Sequence, residues 1–170
     1  MTRPTVYIID FEAFKHGDED YQLKELCIID ASCPMKQLHY TFLPSCKWEE
    51  LSSEQKRTYT YLTREHHRLS WNEGYVRYCR ECLRNDVARF IKSSHVHSSM
   101  FYVMGREKTR FLQSLFPDYR FMNYQEVHNV SMRDLPEAPD HIVCNYRNHG
   151  KHCAVLKCTR ILLHFISLYF

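Results

Sequence analysis

Glycine and proline are scarce in this chain of 170 residues, at 4 and 6 copies. Low-complexity runs and internal repeats are missing too, which excludes long linkers and repeat arrays. Charge of one sign is also in short supply: 23 Lys and Arg against 20 Asp and Glu leave a formal +3. That balance permits a nucleic-acid partner without demanding one, because an electrostatic footprint is a local stripe and not a total. The opening "MTRPTVYIID" lacks a charged n-region, an apolar h-region and a cleavage site, so no secretory signal is expected. The apolar end "ILLHFISLYF" is too short for a membrane span, with Lys157 and Arg160 just before it. These absences predict an intracellular protein, cytoplasmic or nuclear, with no membrane partner. Its eight cysteines are then expected as reduced thiols or metal ligands and not as a disulfide framework.

What is present suits one compact domain over residues 1–170, since 44% of the residues are hydrophobic and 14% aromatic. "TVYIID" (5–10), "YQLKELCIID" (21–30) and "QLHYTFLP" (37–44) read as strands, and their short connections predict an antiparallel meander. In the second strand, alternation places Leu23, Glu25, Cys27 and Ile29 on one face. Residues 48–68 are polar and partly helical, with Ser52 or Ser53 as the cap. Residues 74–94 read as a helix with Val76, Cys79, Leu83, Val87 and Phe90 on its apolar stripe. "MFYVM" (100–104) is a buried strand, and "GREKTRFLQSLF" (105–116) a helix. A short strand and turn follow in "DYRFMNYQEV", and "HCAVLKCTRILLHFISLYF" (152–170) forms the last helix. The order β-β-β-α-β-α-β-α predicts an α/β fold of the ribonuclease H-like kind, a mixed sheet (a three-strand meander plus further strands) flanked by helices.

Two groupings carry chemistry. In "VYIIDFEAF" (6–14), Asp10 and Glu12 share one side of a strand, the arrangement that holds a pair of divalent ions for in-line attack on phosphate. A plain acidic strand end gives the same pattern. Near the other end of the chain, Cys144, His149, His152 and Cys153 crowd into ten residues, and thiolate and neutral imidazole are the donors zinc prefers. Two buried small residues would also account for the cysteines.

"YIIDFEAF" resembles the first motif of the DEDD family of 3′–5′ exonucleases, whose Asp and Glu on the first strand bind Mg or Mn. That family has a further Asp after its fourth strand and a terminal "H-x4-D" or "Y-x3-D". In "YVMGREKTRFL" Lys108 stands about where the Asp belongs, and in "CNYRNHGKHCAVLKC" Cys153-Ala154 stands where the family has Asp-Ala. The second pattern is similar to the Maelstrom domain of the animal piRNA pathway, an exonuclease-like fold with a Glu-Cys-His-Cys zinc site in place of its acids. "LKELCIID", "FYVMGREKTRFLQSLF" and "VCNYRNHGKHCAVLKC" run parallel to it. The resemblance implies a structural zinc on Glu25, Cys144, His149 and Cys153, and a domain that binds or weakly cleaves single-stranded RNA in small-RNA or transposon silencing. Two departures stand out: Cys-x4-His replaces Cys-x2-His, with Arg147 at the expected position so that His152 competes with His149, and "DFE" is retained.

Glu25 is therefore either a metal ligand or an edge-strand carboxylate paired with a lysine. Cys79 and Cys82 in "CREC" read as a core residue with a neighbour. The basic runs "REHHR" and "GREKTR" are either solvated helix faces or phosphate contacts through Arg106, Lys108 and Arg110, with Tyr102 or Trp71 stacking bases. Two alternatives remain: a surviving exonuclease using Asp10, Glu12 and a relocated Asp86, Asp118 or Asp140, and a scaffold that binds protein partners through its apolar end.

Overall fold

The computed structural model describes residues 3–15, 20–91, 98–146 and 149–170. Its frame is a six-stranded mixed sheet in the order β4-β3-β2-β1-β5-β6. β1 (Thr5–Lys15), β2 (Tyr21–Asp30) and β3 (Cys33–Leu43) form the antiparallel meander. β5 (Ser99–Val103) and β6 (Arg120–Asn123) add in parallel beyond β1. Two residues, Val76–Arg77, add as β4 beside β3.

Helices cover both faces. α2 (Arg80–Phe90) and α3 (Arg106–Leu115) pack Leu83, Val87, Phe111, Leu112 and Leu115 against Tyr7, Ile9, Phe11, Leu26 and Ile28. α5 (Ala154–Tyr169) lies on the opposite face, its Val155, Cys158, Ile161, Leu162 and Phe165 meeting Ile8, Cys27 and Ile29. Each such apolar side chain contributes about 1.5–3 kcal/mol when buried. The stripe therefore fixes where α5 begins, and with it Cys153, the residue that precedes its first turn. α1 (Ser53–Tyr61) starts at Ser52, whose hydroxyl accepts from Gln55 N–H while the Gln55 side chain reaches back to Ser52 N–H. α4 (Tyr124–His128) is a short helix directly after β6. Among the described residues no helix is long and apolar enough to cross a membrane.

Three expectations change. β2 carries a bulge: Glu12 pairs with Glu25 but Ala13 pairs with Leu23, leaving Lys24 without a partner on β1. Leu23 therefore joins Leu26 and Ile28 under α2 and α3, while Glu25, Cys27 and Ile29 look toward α5. The buried Lys24 ammonium donates to the carbonyls of Phe42 (2.7 Å), Trp71 (2.8 Å) and Glu73, gathering the loop after α1 onto β3.

The helix expected over 74–94 begins only at Arg80 and ends at Phe90, where Ile91 leaves the helical conformation (φ −87°, ψ 73°); residues 92–94 lie outside the described residues. Its first part is instead extended, because Tyr75 N–H donates to Thr41 C=O and Val76 pairs with Phe42. Gly74 makes this approach possible: a Cβ there would lie 2.3 Å from the Phe42 carbonyl carbon, and its φ is +151°. The candidate base-stacking rings are also core. Trp71 is buried and stacks on Tyr59 with centroids 5.1 Å apart, and Tyr102 packs on Tyr124 and Phe165.

Candidate metal centre and the carboxylate pair beside it

Among the described residues, one group of three or more His, Cys, Asp or Glu side chains brings its ligand atoms within 4.8 Å of one another: Glu25, Cys144, His149 and Cys153. β2 supplies Glu25, whose carboxylate is fully buried because alternation with Cys27 and Ile29 turns it under α5. Its Oε2 lies 2.8 Å from His149 Nε2, 3.2 Å from Cys144 Sγ and 3.9 Å from Cys153 Sγ. Its Oε1 accepts the N–H of Ala154 in the first turn of α5, where unpaired amides favour an anion. His149 Nδ1–H donates to the His67 carbonyl at 2.8 Å, which leaves Nε2 facing the cluster.

The electrostatics suit a cation. Hydrogen bonding from Cys144, burial and the Glu25 charge all push the Cys153 thiol well up. Burial would lower the His149 pKa, but its bonds to Cys144 and Glu25 raise it to about 9. With two thiols, an imidazole and a carboxylate in a buried pocket, the donor set matches that of a four-coordinate zinc site. A divalent ion there would replace protons as the counter-charge and tie β2 to the start of α5.

A fifth donor was not legible in the sequence. His39 on β3 places Nε2 3.1 Å from Glu25 Oε2 and 3.7 Å from Cys144 Sγ. Burial opposes its protonation, yet bonds to Cys144 and Glu25 bring its pKa up to about 10. The β2–β3 register, with Glu25 opposite Thr41 and Cys27 opposite His39, puts it there, and no sequence signal fixes that register. His152, expected to compete as the nitrogen ligand, is placed elsewhere: its ring stacks on His66 with centroids 3.8 Å apart. Arg147 lies outside the described residues.

On β1 the picture is different. Lys108 on α3 places its ammonium 2.7 Å from Asp10 Oδ1, 2.6 Å from the Phe11 carbonyl and 3.9 Å from Glu12 Oε1. Lys157 on α5 donates to Glu12 Oε1 at 2.6 Å. His66 Nε2 stands 3.8 Å from Glu12 Oε2. Burial pushes the Asp10 carboxyl up against the pull of Lys108 and Lys157. For Glu12 burial also acts upward, but the two lysines win and hold it below the usual range. A divalent ion 4 Å from the Lys108 ammonium would meet roughly 8 kcal/mol of repulsion at an effective dielectric of 20. Among the described residues none of the three relocated acids stands in: Asp86 is bonded to Tyr40 and Arg89, and Asp118 and Asp140 are exposed. Lys157 was missed in the sequence, although it follows Cys153 by one helical turn. Of the remaining basic candidates, Arg106 is paired with Glu126 at 2.9 Å and Arg110 is exposed.

Compared with protein-family profiles and with curated proteins, the sequence matches none.

The chemistry of the two sites therefore diverges. The Glu25 group can hold a metal with four protein donors, the closed coordination that serves structure rather than reaction. The Asp10–Glu12 pair is neutralised by lysine, whose charge opposes a phosphate-cleaving ion even though Asp10 Oδ2 has no hydrogen-bond partner among the described residues.

Proposed function

We propose that this chain is an exonuclease-derived domain of the ribonuclease H-like kind that has exchanged its two-metal chemistry for one structural zinc and binds single-stranded RNA, in the manner of the Maelstrom domain. The observation that carries this reading is the Lys108 ammonium seated on Asp10, a cation in the place of a catalytic one. The Glu25, Cys144, His149 and Cys153 group supports the zinc. Support for RNA comes from basic groups: Lys108 and Lys157 on the carboxylate pair, the exposed Lys151, and the exposed Arg106 and Arg110 beside Glu126. Any cleavage is weak and independent of magnesium or manganese, and the resemblance in sequence supports a part in small-RNA or transposon silencing. A second reading, a protein-binding scaffold, is favoured by one feature, the exposed Leu168, Tyr169 and Phe170 at the end of α5.

The test is fluorescence anisotropy of zinc-loaded protein with single-stranded RNA at two salt concentrations, beside a 3′-trimming assay in magnesium and in EDTA. The variant D10N/E12Q serves as the control. Expected is binding that weakens about twentyfold over a fourfold rise in salt, as three phosphate contacts on a single strand require, and no magnesium-dependent trimming. Trimming that needs magnesium and vanishes in the variant would establish a working exonuclease instead. An absence of binding at physiological salt would leave the scaffold.

A further inference from the structure

The Cys79–Cys82 pair lies outside both sites. Its spacing in the sequence predicts a core residue with a neighbour, but the structure puts it at the surface, with Cys79 half-buried and Cys82 exposed. The chain leaves β4 at Arg77 and enters the 11-residue α2 at Arg80, so Cys79 is the residue that caps the helix. Its backbone is extended (φ −146°, ψ 117°), and the N–H of Cys82 donates to its sulfur at 3.3 Å. A sulfur so placed faces the unpaired amides and the positive end of the helix, which favour a thiolate. The Cys82 thiol also hydrogen-bonds that sulfur; this contact draws the Cys79 pKa down and pushes the Cys82 pKa up. The two residues thus differ in role: one is the better nucleophile and the other keeps its proton.

No third His, Cys, Asp or Glu among the described residues joins them in a metal-binding group. The other cysteines are unlike them. Cys27 on β2 and Cys158 on α5 are buried between sheet and helix, Cys144 and Cys153 belong to the Glu25 group, and burial and Glu50 push the Cys46 thiol up. Cys33 is exposed at the start of β3.

We propose that Cys79 and Cys82 form a reversible disulfide by thiol–disulfide exchange with a low-molecular-weight disulfide of the glutathione class. The Cys79 thiolate attacks one sulfur of the partner, forming a mixed disulfide and releasing one partner thiolate. Cys82 then loses its proton and attacks the Cys79 sulfur, closing the Cys79–Cys82 bond and expelling the second partner thiolate. Both released thiolates take up protons. Two protein thiols are oxidised, one partner disulfide is reduced to two thiols, and two electrons pass between them. Residues three apart on a helix have Cβ atoms about 5–6 Å apart, and a disulfide requires roughly 3.5–4.5 Å. A small adjustment at Cys79, whose own φ and ψ are extended and not helical, closes that difference.

The experiment equilibrates the zinc-loaded full chain in glutathione buffers whose reduced-to-oxidised ratio spans a thousandfold, then quenches with acid, alkylates and digests with trypsin. Cleavage after Arg80 separates the two cysteines, so the disulfide is read by mass spectrometry as residues 78–80 joined to residues 81–84. The joined species is expected to appear with a midpoint inside the range. C82S should trap one glutathione on Cys79, and C79S should carry at least tenfold less on Cys82, with circular dichroism showing that both variants are folded. No joined species in the most oxidising buffer, or equal glutathione on the two variants, would overturn the proposal.

Discussion

Glu12 and Glu25 face each other across the β1–β2 register, both buried and both turned toward the α5 side of the sheet. Like charges directly opposite on paired strands repel, so each carboxylate needs its own counter-charge, and the chain provides two different kinds. Glu12 and its neighbour Asp10 receive ammonium groups on long stems, Lys108 from α3 and Lys157 from α5. Glu25 receives imidazole, thiols and a helix N-terminus, donors with room for an ion among them. The lesson is that a buried carboxylate does not by itself mark a metal site. The groups that approach it decide, and here the decision changes over the width of one strand pair.

The largest effect that tests this contrast is expected at the Glu25 group. Zinc-loaded protein should carry one equivalent by elemental analysis, and Cys153→Ala should carry none. Losing the ion that ties β2 to the start of α5 is expected to cost about 5 kcal/mol, which in a chain of this size lowers the melting temperature by roughly 10–20 °C. EDTA should do the same to the wild type. A chelator-insensitive melt would erase the distinction between the two sites.

Next comes Lys108→Met, which strands Asp10, a residue only 1% exposed. A loss of about 3–5 kcal/mol is expected in urea titrations. Asp10→Asn in the same chain should recover most of it, since the neutral amide no longer needs an ammonium. Magnesium or manganese should raise the melting temperature of the single variant and leave the wild type unmoved. Metal stabilisation of the wild type would show that the lysine does not exclude an ion.

The smallest expected effect is on the acid side of the stability profile. The folded pKa of Glu12 is depressed because Lys108 and Lys157 outweigh the cost of burial. Its contribution is therefore complete above the unfolded carboxylate value, about 4.3, and is lost as pH falls through the lower folded value. Urea midpoints measured from pH 6 down to pH 3 should decline less steeply in Glu12→Gln than in the wild type. Parallel curves would mean that the lysines do not hold Glu12 ionised.

Much of the frame was legible before the structure. Alternating Val, Ile, Tyr and Phe marked the three meander strands, helical spacing marked α3 and α5, and the density of Cys and His before α5 marked three of the four grouped donors. What escaped depends on long-range pairing. Val76 reads as the start of a helical stripe until the amide of Tyr75 is given Thr41 to bond, and Cys79 then becomes a cap. His39 joins Glu25 only through the β2–β3 register. Lys157 looks like an ordinary helix-surface lysine until the sheet brings Glu12 beneath it, and Lys108, which the motif comparison singles out, meets Asp10 only through the fold. Local spacing names the donors, and strand register decides which of them meet.

The extra residue in β2 also bears on how this domain varies by insertion and deletion. Lys24 changes the parity of its strand, so that residues before it and residues after it obey opposite rules for which side is inside. Losing that one codon would restore plain alternation, with Glu25 still under α5 and Leu23 still opposite Ala13 among Leu26 and Ile28. It would also release the carbonyls of Phe42, Trp71 and Glu73 together. Relatives that lack the residue must therefore have rebuilt the loop after α1, and an alignment of such chains should open its gap opposite Lys24.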